Sequence, residues 1–289
     1  MICVGNFTLG GSGKTPAAIA IARLLTQAGG HPALLSRGYG GSIAGPIAVD
    51  PSRHGASEIG DEALLLARAA PTFVAHDRLA GARAIHAARA GVVVMDDGLQ
   101  NATLHKDFTI AVIDGKRGLG NGMVFPAGPL RAPLDAQWPA VDAVLAVGIV
   151  SGAMPVIAAA QAKGVPVFHA ALEPDRAALA ALNNQKILAF AGIGDPEKFF
   201  ATLATAGIDV RLRRAFGDHH RYTAQEAAIL IAQSERAGLT LVTTEKDVAR
   251  MTGDPRLAAL ATHVKPLPVT LVIADEVKFR DLILAKIRD

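Results

Sequence analysis

The sequence predicts an α/β protein, with a mostly parallel sheet carrying helices on both faces and a smaller C-terminal α/β unit after it. Three observations carry that expectation. Short Val- and Ile-rich runs alternate with longer Ala/Leu-rich stretches, and uninterrupted apolar strands joined by helices belong to parallel sheets covered on both sides. Hydrophobic residues make up 51% and charged residues 19%, a balance that can bury a large core and does not suit a disordered chain. The length, 289 residues, suits one large domain or two ordinary ones.

In chain order, the predicted strands of the larger unit are Ile2–Val4, Pro32–Ser36, Thr72–Val74, Val92–Met95, Thr109–Asp114, Ala143–Val147 and Pro166–His169. The helices between them are Thr15–Ala28, Gly60–Ala70, Leu79–Ala90 and Pro155–Lys163. Each strand is a short apolar run, and each helix a longer run of good helix formers. The stretch Val141–Ala160 is about long enough to span a bilayer, but Asp142, Ser151 and Pro155 interrupt it. It reads as a strand, a Gly/Ser turn and a helix with proline near its first turn. Near Glu173–Gln185 the pattern changes to Asp, Arg and Asn. A second series follows: strand Ile187–Ala191, helix Pro196–Ala206, strand Asp209–Ala215, helix Ala224–Ala237, strand Thr240–Thr243 and a final helix from Glu276. The expected units are therefore 1–180 and 181–289.

Composition excludes several functions. The 29 basic residues exceed the 26 acidic ones by a net charge of only +3, and 4% of the chain is aromatic. Neither a nucleic-acid footprint nor a base-stacking platform fits those values. One cysteine, Cys3, excludes a disulfide framework and a cysteine metal site. No secretory signal is expected, because residues 1–7 have no basic start and no apolar stretch of the needed length.

The first predicted strand runs into Thr8-Leu9-Gly10-Gly11-Ser12-Gly13-Lys14-Thr15 and then a helix. Glycines let backbone N–H groups curl around phosphate oxygens, and the helix directs its positive end at them. Lys14 would reach the β- and γ-phosphates of ATP, and the Thr15 hydroxyl would sit on Mg²⁺. The larger sheet is thus expected to be P-loop NTPase-like, although Thr8 stands where that motif has its first glycine. The alternative is a glycine-rich turn before a core helix.

The apolar run Val92–Met95 ends in Asp96-Asp97-Gly98. A carboxylate at such a strand end holds the metal directly or through water, and Asp-Gly can also be an ordinary turn. Gly60-Asp61-Glu62 opens a predicted helix, where Asp61 could simply cap. Asp218-His219-His220 offers an imidazole beside a carboxylate. A zinc site is not expected there, since no further ligands lie at metal spacing. A base near an acceptor hydroxyl is one use of such a group, and from the residues alone that assignment stays open.

Several further segments complete a pattern: Val4-Gly5-Asn6, Leu35 to Gly41 (LSRGYGG), Asp77-Arg78, Asp96 to Gln100 (DDGLQ), Gly120-Asn121-Gly122, Pro126 to Arg131 (PAGPLR), Phe190 to Gly194 (FAGIG) and Thr244 to Asp247 (TEKD). In this order, along nearly the whole chain, they resemble the tetraacyldisaccharide 4'-kinase family of lipid A biosynthesis. The resemblance implies ATP-dependent phosphorylation of the 4'-hydroxyl of a tetraacylated glucosamine disaccharide 1-phosphate. It also implies a monomeric, peripheral enzyme at the cytoplasmic face of the inner membrane, with the smaller unit closing a cleft over the larger.

Carried over by residue, the resemblance makes His219 the base, supported by Asp61, and places Asp96 and Asp97 at the metal. His219 is preferred to His220 because it directly follows the aspartate of the pattern. Arg37, Tyr39, Arg78, Gln100 and Arg131 match positions that line the site. Ala132 stands where the family has Glu, and Asn101 where it has His. The family's hydrophobic N-terminal segment is missing from this sequence, which begins inside the first strand. The rival expectation is a phosphate-loop GTPase or regulatory switch, for which Glu245-Lys246-Asp247 would partly mimic the guanine-reading N-K-x-D motif.

Overall fold

The computed structural model describes residues 1–288, and its strands form two sheets. The first part of the chain contributes β1 (Ile2–Gly5), α1 (Lys14–Gln27), β2 (Pro32–Ser36), β3 (Ile47–Ala48), α2 (Ala56–Ile59), α3 (Asp61–Leu66), β4 (Thr72–Val74), α4 (Arg78–Ala87) and β5 (Val92–Asp96). It continues through β6 (Phe108–Asp114), α5 (Leu134–Gln137), β7 (Ala143–Val147), α6 (Met154–Ala162) and β8 (Val167–Pro174). The second part holds α7 (Arg176–Ala180), β9 (Lys186–Ala191), α8 (Pro196–Thr205), β10 (Asp209–Ala215), α9 (Ala224–Ala237) and β11 (Thr240–Thr244). Then follow α10 (Glu245–Met251), α11 (Ala258–His263), β12 (Val264–Leu267), β13 (Val269–Ile273) and α12 (Glu276–Arg288).

The larger sheet has nine strands in the order β13-β8-β7-β6-β1-β5-β2-β4-β3. Its seven inner strands are parallel, and only β13 and β3 run antiparallel at the edges. Strands β1, β2, β6 and β7 are buried along their whole length, as expected where helices cover both faces. Helix α1 packs Ala17, Ala18, Ile21, Ala22 and Leu25 into the core beside β1. Leaving α1 unpacked would expose about 2 kcal/mol for each large side chain among these.

The smaller sheet is fully parallel, in the order β10-β9-β11-β12. Phe199, Phe200 and Leu203 of α8 pack on one side of it, and Tyr222, Ala227 and Leu230 on the other.

The end of the chain departs from the expected 181–289 unit. Strand β13 pairs antiparallel with β8, and α12 buries Phe279 and Ile283 in the core of the first sheet. Phe279 meets the ring of Phe168 edge-on at 4.9 Å. The second unit is thus an excursion from the first, leaving through β8 and returning through β13. The expected Gly60–Ala70 helix is realised as the shorter α3, Asp61–Leu66, with the separate turn of α2 before it. Gly60 takes φ 84° between them, and a Cβ there would lie 2.5 Å from the Tyr39 carbonyl oxygen. The Val141–Ala160 stretch divides into β7 and α6, and no helix among the described residues is long and apolar enough to cross a membrane.

Candidate active site

The parallel register sets the first half of the site. Val4 of β1 lies beside Asp96 of β5, so the loop after β1 and the carboxylates after β5 emerge together at the carboxyl edge of the sheet. Gly13 enters α1 at φ 92°, a left-handed conformation open to glycine. Lys14 then opens the helix with Nζ 3.7 Å from Asp97 Oδ1, and Thr15 donates its hydroxyl to Asp96 Oδ2 at 3.2 Å. Leu9 N–H donates to the Pro129 carbonyl, so the PAGPLR segment forms a wall of the loop. From that wall Arg131 donates to Asp97 Oδ2 at 2.9 Å and to the Thr8 carbonyl at 3.1 Å.

Several polar atoms here are buried without a hydrogen-bond partner: both side-chain amide atoms of Asn6, Ser12 Oγ, Asp96 Oδ1 and Asp97 Oδ1. Such atoms cost about 1–3 kcal/mol each when left unpaired, and their gathering at one strand edge marks a place built for a charged ligand. Asp96 shows the strain most. Burial raises its carboxyl to about 7, with Glu62 and Asp97 adding to the rise and Lys14 and Thr15 opposing it. A divalent cation is the group that relieves two crowded carboxylates, and Thr15, Asp96 and Asp97 supply the hard oxygen donors for one.

The second half comes from the smaller sheet. Residues 216–223 link β10 to α9, and His219 sits among them at φ 55°. Its Nδ1 lies 3.4 Å from Asp61 Oδ2, and its ring meets Tyr39 edge-on at 5.2 Å. Asp61 is 4% exposed. Burial pushes its carboxyl up, but the His219 contact and the charges of Lys246 and Arg250 outweigh that and hold it well below the usual range. His220 instead stacks on Phe216 and bonds Glu226 through Nε2 at 3.0 Å.

The remaining expected residues divide. Arg78 is buried and donates to the Ala75 carbonyl, and burial and the neighbouring Arg37 lower its pKa while Asp96 and Asp97 oppose the fall. Arg37 and Tyr39 are exposed on the loop after β2. Gln100 spends its amide N–H groups on the Asn6 carbonyl and on Gln137 Oε1, both at 2.8 Å. It braces the loop after β1, with only its own Oε1 left for a ligand.

Sequence reasoning missed what α10 brings to this place. Arg250 donates to Asp61 Oδ2 at 2.6 Å, and Lys246 pairs with Glu62 at 2.7 Å. Two cations spaced i, i+4 on one helix face opposite the adjacent acids Asp61-Glu62 were the available signal. The structure also removes the guanine-reading role of Asp247. That residue is fully buried and accepts from the Gly192 amide, the Tyr222 hydroxyl, Thr243 and Thr244, leaving no carboxylate to face a base.

Known proteins resemble the chain along nearly its whole length. The family model described as tetraacyldisaccharide-1-P 4'-kinase matches residues 1–288. A protein of Methylobacterium sp. (strain 4-46) named tetraacyldisaccharide 4'-kinase is 55% identical over 288 residues, covering 100% of this chain and 85% of that one. One of the same name from Rhodopseudomonas palustris (strain BisA53) is 51% identical over 287 residues, covering 99% and 84%. Among solved structures, LpxK from Aquifex aeolicus in complex with ATP superposes with a TM-score of 0.74 at 26% identity, over 99% of this chain and 88% of that one. These matches, with Asp247 withdrawn from any base-reading role, set aside the GTPase alternative. A family model matched over residues 1–288 and relatives more than half identical along nearly the whole chain leave one conclusion: the chain belongs to the tetraacyldisaccharide-1-P 4'-kinase family.

Proposed function

We propose that the chain transfers the γ-phosphoryl group of ATP to the 4'-hydroxyl of a tetraacylated glucosamine disaccharide 1-phosphate. The observations that carry the reading are the pairing of Lys14 and Thr15 of the loop with Asp97 and Asp96 at the carboxyl edge of the first sheet and the contact of His219 from the second unit with Asp61 of the first. Phosphoryl transfer needs alignment and charge neutralisation more than covalent help. Residues 8–15 hold the triphosphate, through the backbone N–H groups of the loop and the ammonium of Lys14. Mg²⁺ fits Thr15, Asp96 and Asp97, since Asp96 Oδ1 and Asp97 Oδ1 are without a hydrogen-bond partner among the described residues, and when bound it would neutralise phosphate charge. His219 accepts the hydroxyl proton at Nε2, since Nδ1 faces Asp61. Asp61 fixes the ring and balances the imidazolium that forms. Arg37 and Arg131 would meet the anionic groups of the substrate, the buried Arg78 supports the carboxylate side from behind, and Tyr39 flanks the base.

The acyl chains place the reaction at a lipid surface, as a monomer working peripherally on the cytoplasmic face of the inner membrane. Support comes from an exposed apolar rim beside the phosphate loop. Leu9, Met123 and Phe125 are 46%, 55% and 64% exposed. They stand on segments tied together through Leu9 N–H to Pro129, and Phe125 N–H to Leu130.

The test is incubation of the purified chain with γ-labelled ATP and the lipid disaccharide 1-phosphate in detergent, with the product located by mass spectrometry. Label on the 4'-position, with GTP a poor donor, is the expected result. Label elsewhere, or equal transfer to a disaccharide without acyl chains, refutes the substrate reading.

A further inference from the structure

Arg250 holds an unusual place between the two units. Its side chain is 6% exposed. Nε donates to Asp61 Oδ2 at 2.6 Å, while Nη1 donates to Asp247 Oδ1 at 3.0 Å and to the Gly192 carbonyl. Asp247 is itself locked by Tyr222, Thr243 and Thr244. A Cβ at position 192 would come within 3.3 Å of Nη1 and 3.1 Å of Asp247 Oδ1, so the glycine leaves the space the guanidinium fills. The Arg250 head group is therefore fixed within the second unit, and from there it grips a carboxylate of the first.

The oxygen it grips is the one His219 faces. Asp61 Oδ2 takes Arg250 Nε at 2.6 Å and stands 3.4 Å from His219 Nδ1. A carboxylate oxygen has room for two donors, and the shorter bond, from a permanent cation in a fixed fork, decides where that oxygen sits. The other charged groups around it are Lys246 of α10 and Glu62 of its own helix, while Asp218 Oδ1 stands 3.9 Å from the Nε2 side of the imidazole. Lys246 pairs with Glu62 rather than Asp61, which leaves Arg250 as the group bonded to Asp61 from α10.

We propose that Arg250 is a positioning residue for phosphoryl transfer. It pins Asp61 Oδ2 against His219 Nδ1, so that the imidazole presents Nε2 to the acceptor hydroxyl, and it acts through that pair alone. This rests on His219 being the base, as read above. Because Arg250 and His219 both come from the second unit, Asp61 is engaged from two directions only when the units meet, and the base is assembled by the same contact that joins them.

A plain clasp between the units would behave differently, and the molecule supplies a control. Arg68 of the first unit pairs with Glu245 of the same helix at 3.2 Å without touching Asp61. The experiment measures initial rates with ATP and the lipid disaccharide 1-phosphate for Arg250→Met, Arg250→Lys, Glu245→Gln, His219→Ala and the double variant His219→Ala/Arg250→Met. Circular dichroism checks each fold. Arg250→Met is expected to lower kcat about 30-fold with both KM values within about 3-fold, since ground-state binding is untouched. Arg250→Lys keeps the charge but not the fork, and recovers part of the rate. Added to His219→Ala, Arg250→Met should cost less than about 2-fold, because groups acting through one another are not additive. Glu245→Gln should stay within about 2-fold of the parent.

A full Arg250 loss carried over onto His219→Ala overturns the proposal. So does an equal loss in Glu245→Gln, a change in KM alone, or a parental rate in Arg250→Lys. If Arg250→Met does not fold, the cycle is run with Arg250→Lys and read by the same criteria. A parental rate in His219→Ala removes the base and this proposal with it. A parent chain that leaves the lipid unphosphorylated refutes the reading of function itself.

Discussion

Replacing Asp96 by Asn should stabilise the fold while destroying activity, and the stabilisation should depend on pH. Asp96 is 3% exposed. Among the described residues, Thr15 alone among the side chains hydrogen-bonds its carboxylate, at 3.2 Å, and Oδ1 has no partner. Burial, reinforced by Glu62 and Asp97, moves its ionisation from 3.8 to about 7. An acid whose folded pKa is raised costs stability wherever the unfolded chain is ionised and the fold resists ionisation. The cost starts near pH 3.8, grows as pH rises, and is complete above about 7. Each pH unit in that window is worth up to about 1.4 kcal/mol, giving a ceiling near 4 kcal/mol. Asn avoids the charge but brings an amide with few partners, so about 2 kcal/mol should remain, or roughly 4–8 °C in Tm. Thermal unfolding in EDTA near pH 8 and near pH 5 tests this, with the gap at least halved at the lower pH. Turnover should fall more than about 100-fold, since a ligand-binding carboxylate is gone. Equal Tm shifts at both pH values, or a variant less stable than the parent near pH 8, would refute the argument that this carboxylate is held against its own burial.

Three further outcomes follow from the same geometry. Lys14→Ala should keep a native circular dichroism spectrum and lose more than about 100-fold in turnover, and near-parental turnover would sink the phosphate-loop assignment. Asp61→Asn should act on stability in the opposite sense to Asp96→Asn: its carboxyl is held low, so its contribution is present above about pH 4 and lost as pH falls. The variant should lose about 2–4 kcal/mol at neutral pH, converging with the parent in acid; its kinetic loss should not multiply with that of His219→Ala, while His220→Ala stays mild. Phe279→Ala should cost about 3–5 kcal/mol and lower the melting of the ATP-binding unit, as seen by loss of nucleotide protection. An effect confined to the second unit would contradict the packing of α12 on the first sheet.

The phosphate loop and the acidic pair were legible because their chemistry requires neighbouring residues. Loop amides, Lys14 and Thr15 must be contiguous to enclose phosphate, and Asp96-Asp97 must end a strand to reach it. The His219–Asp61 contact had no such signature. Asp61 could be an ordinary helix cap, His219 an ordinary loop residue, and only the family resemblance joined them. Arg250 is harder to read for a related reason: its i, i+4 spacing with Lys246 marks a cationic helix face, but does not say which carboxylates lie opposite. The return of β13 and α12 failed differently. The strand Val269–Ile273 is absent from the sequence reading, and the helix from Glu276 has a local pattern that does not say which sheet it joins. That is decided by Phe279 and Ile283 finding the apolar face beside Phe168. Strand β12 escaped notice because Pro266 interrupts it, as proline can at the sheet edge where β12 lies.

The division of labour between the sheets explains why the site is built from two. In the proposed mechanism, charge on the nucleotide and its metal would be handled by Lys14, Arg131, Asp96 and Asp97, all from the first sheet and its loops. The proton would be handled by His219, from the second. Asp61 is the exception, a first-sheet residue serving the proton side, and it is where both units' demands meet. The surfaces joining them are polar. Lys198 pairs with Asp114 at 2.6 Å and Arg117 with Asp195 at 3.3 Å on one flank, while Lys246–Glu62 and Arg68–Glu245 lie on the other. Partly exposed pairs of this kind contribute about 0–1 kcal/mol each, and the apolar contact beside them is made by the small side chain of Ala249 against Ile59, Ala63 and Leu64. An interface so composed favours units that can separate. On the proposed mechanism, admission of a lipid headgroup and assembly of the base would draw on one equilibrium, with Asp61, gripped from the second unit by Arg250, linking closure of the cleft to readiness to take a proton.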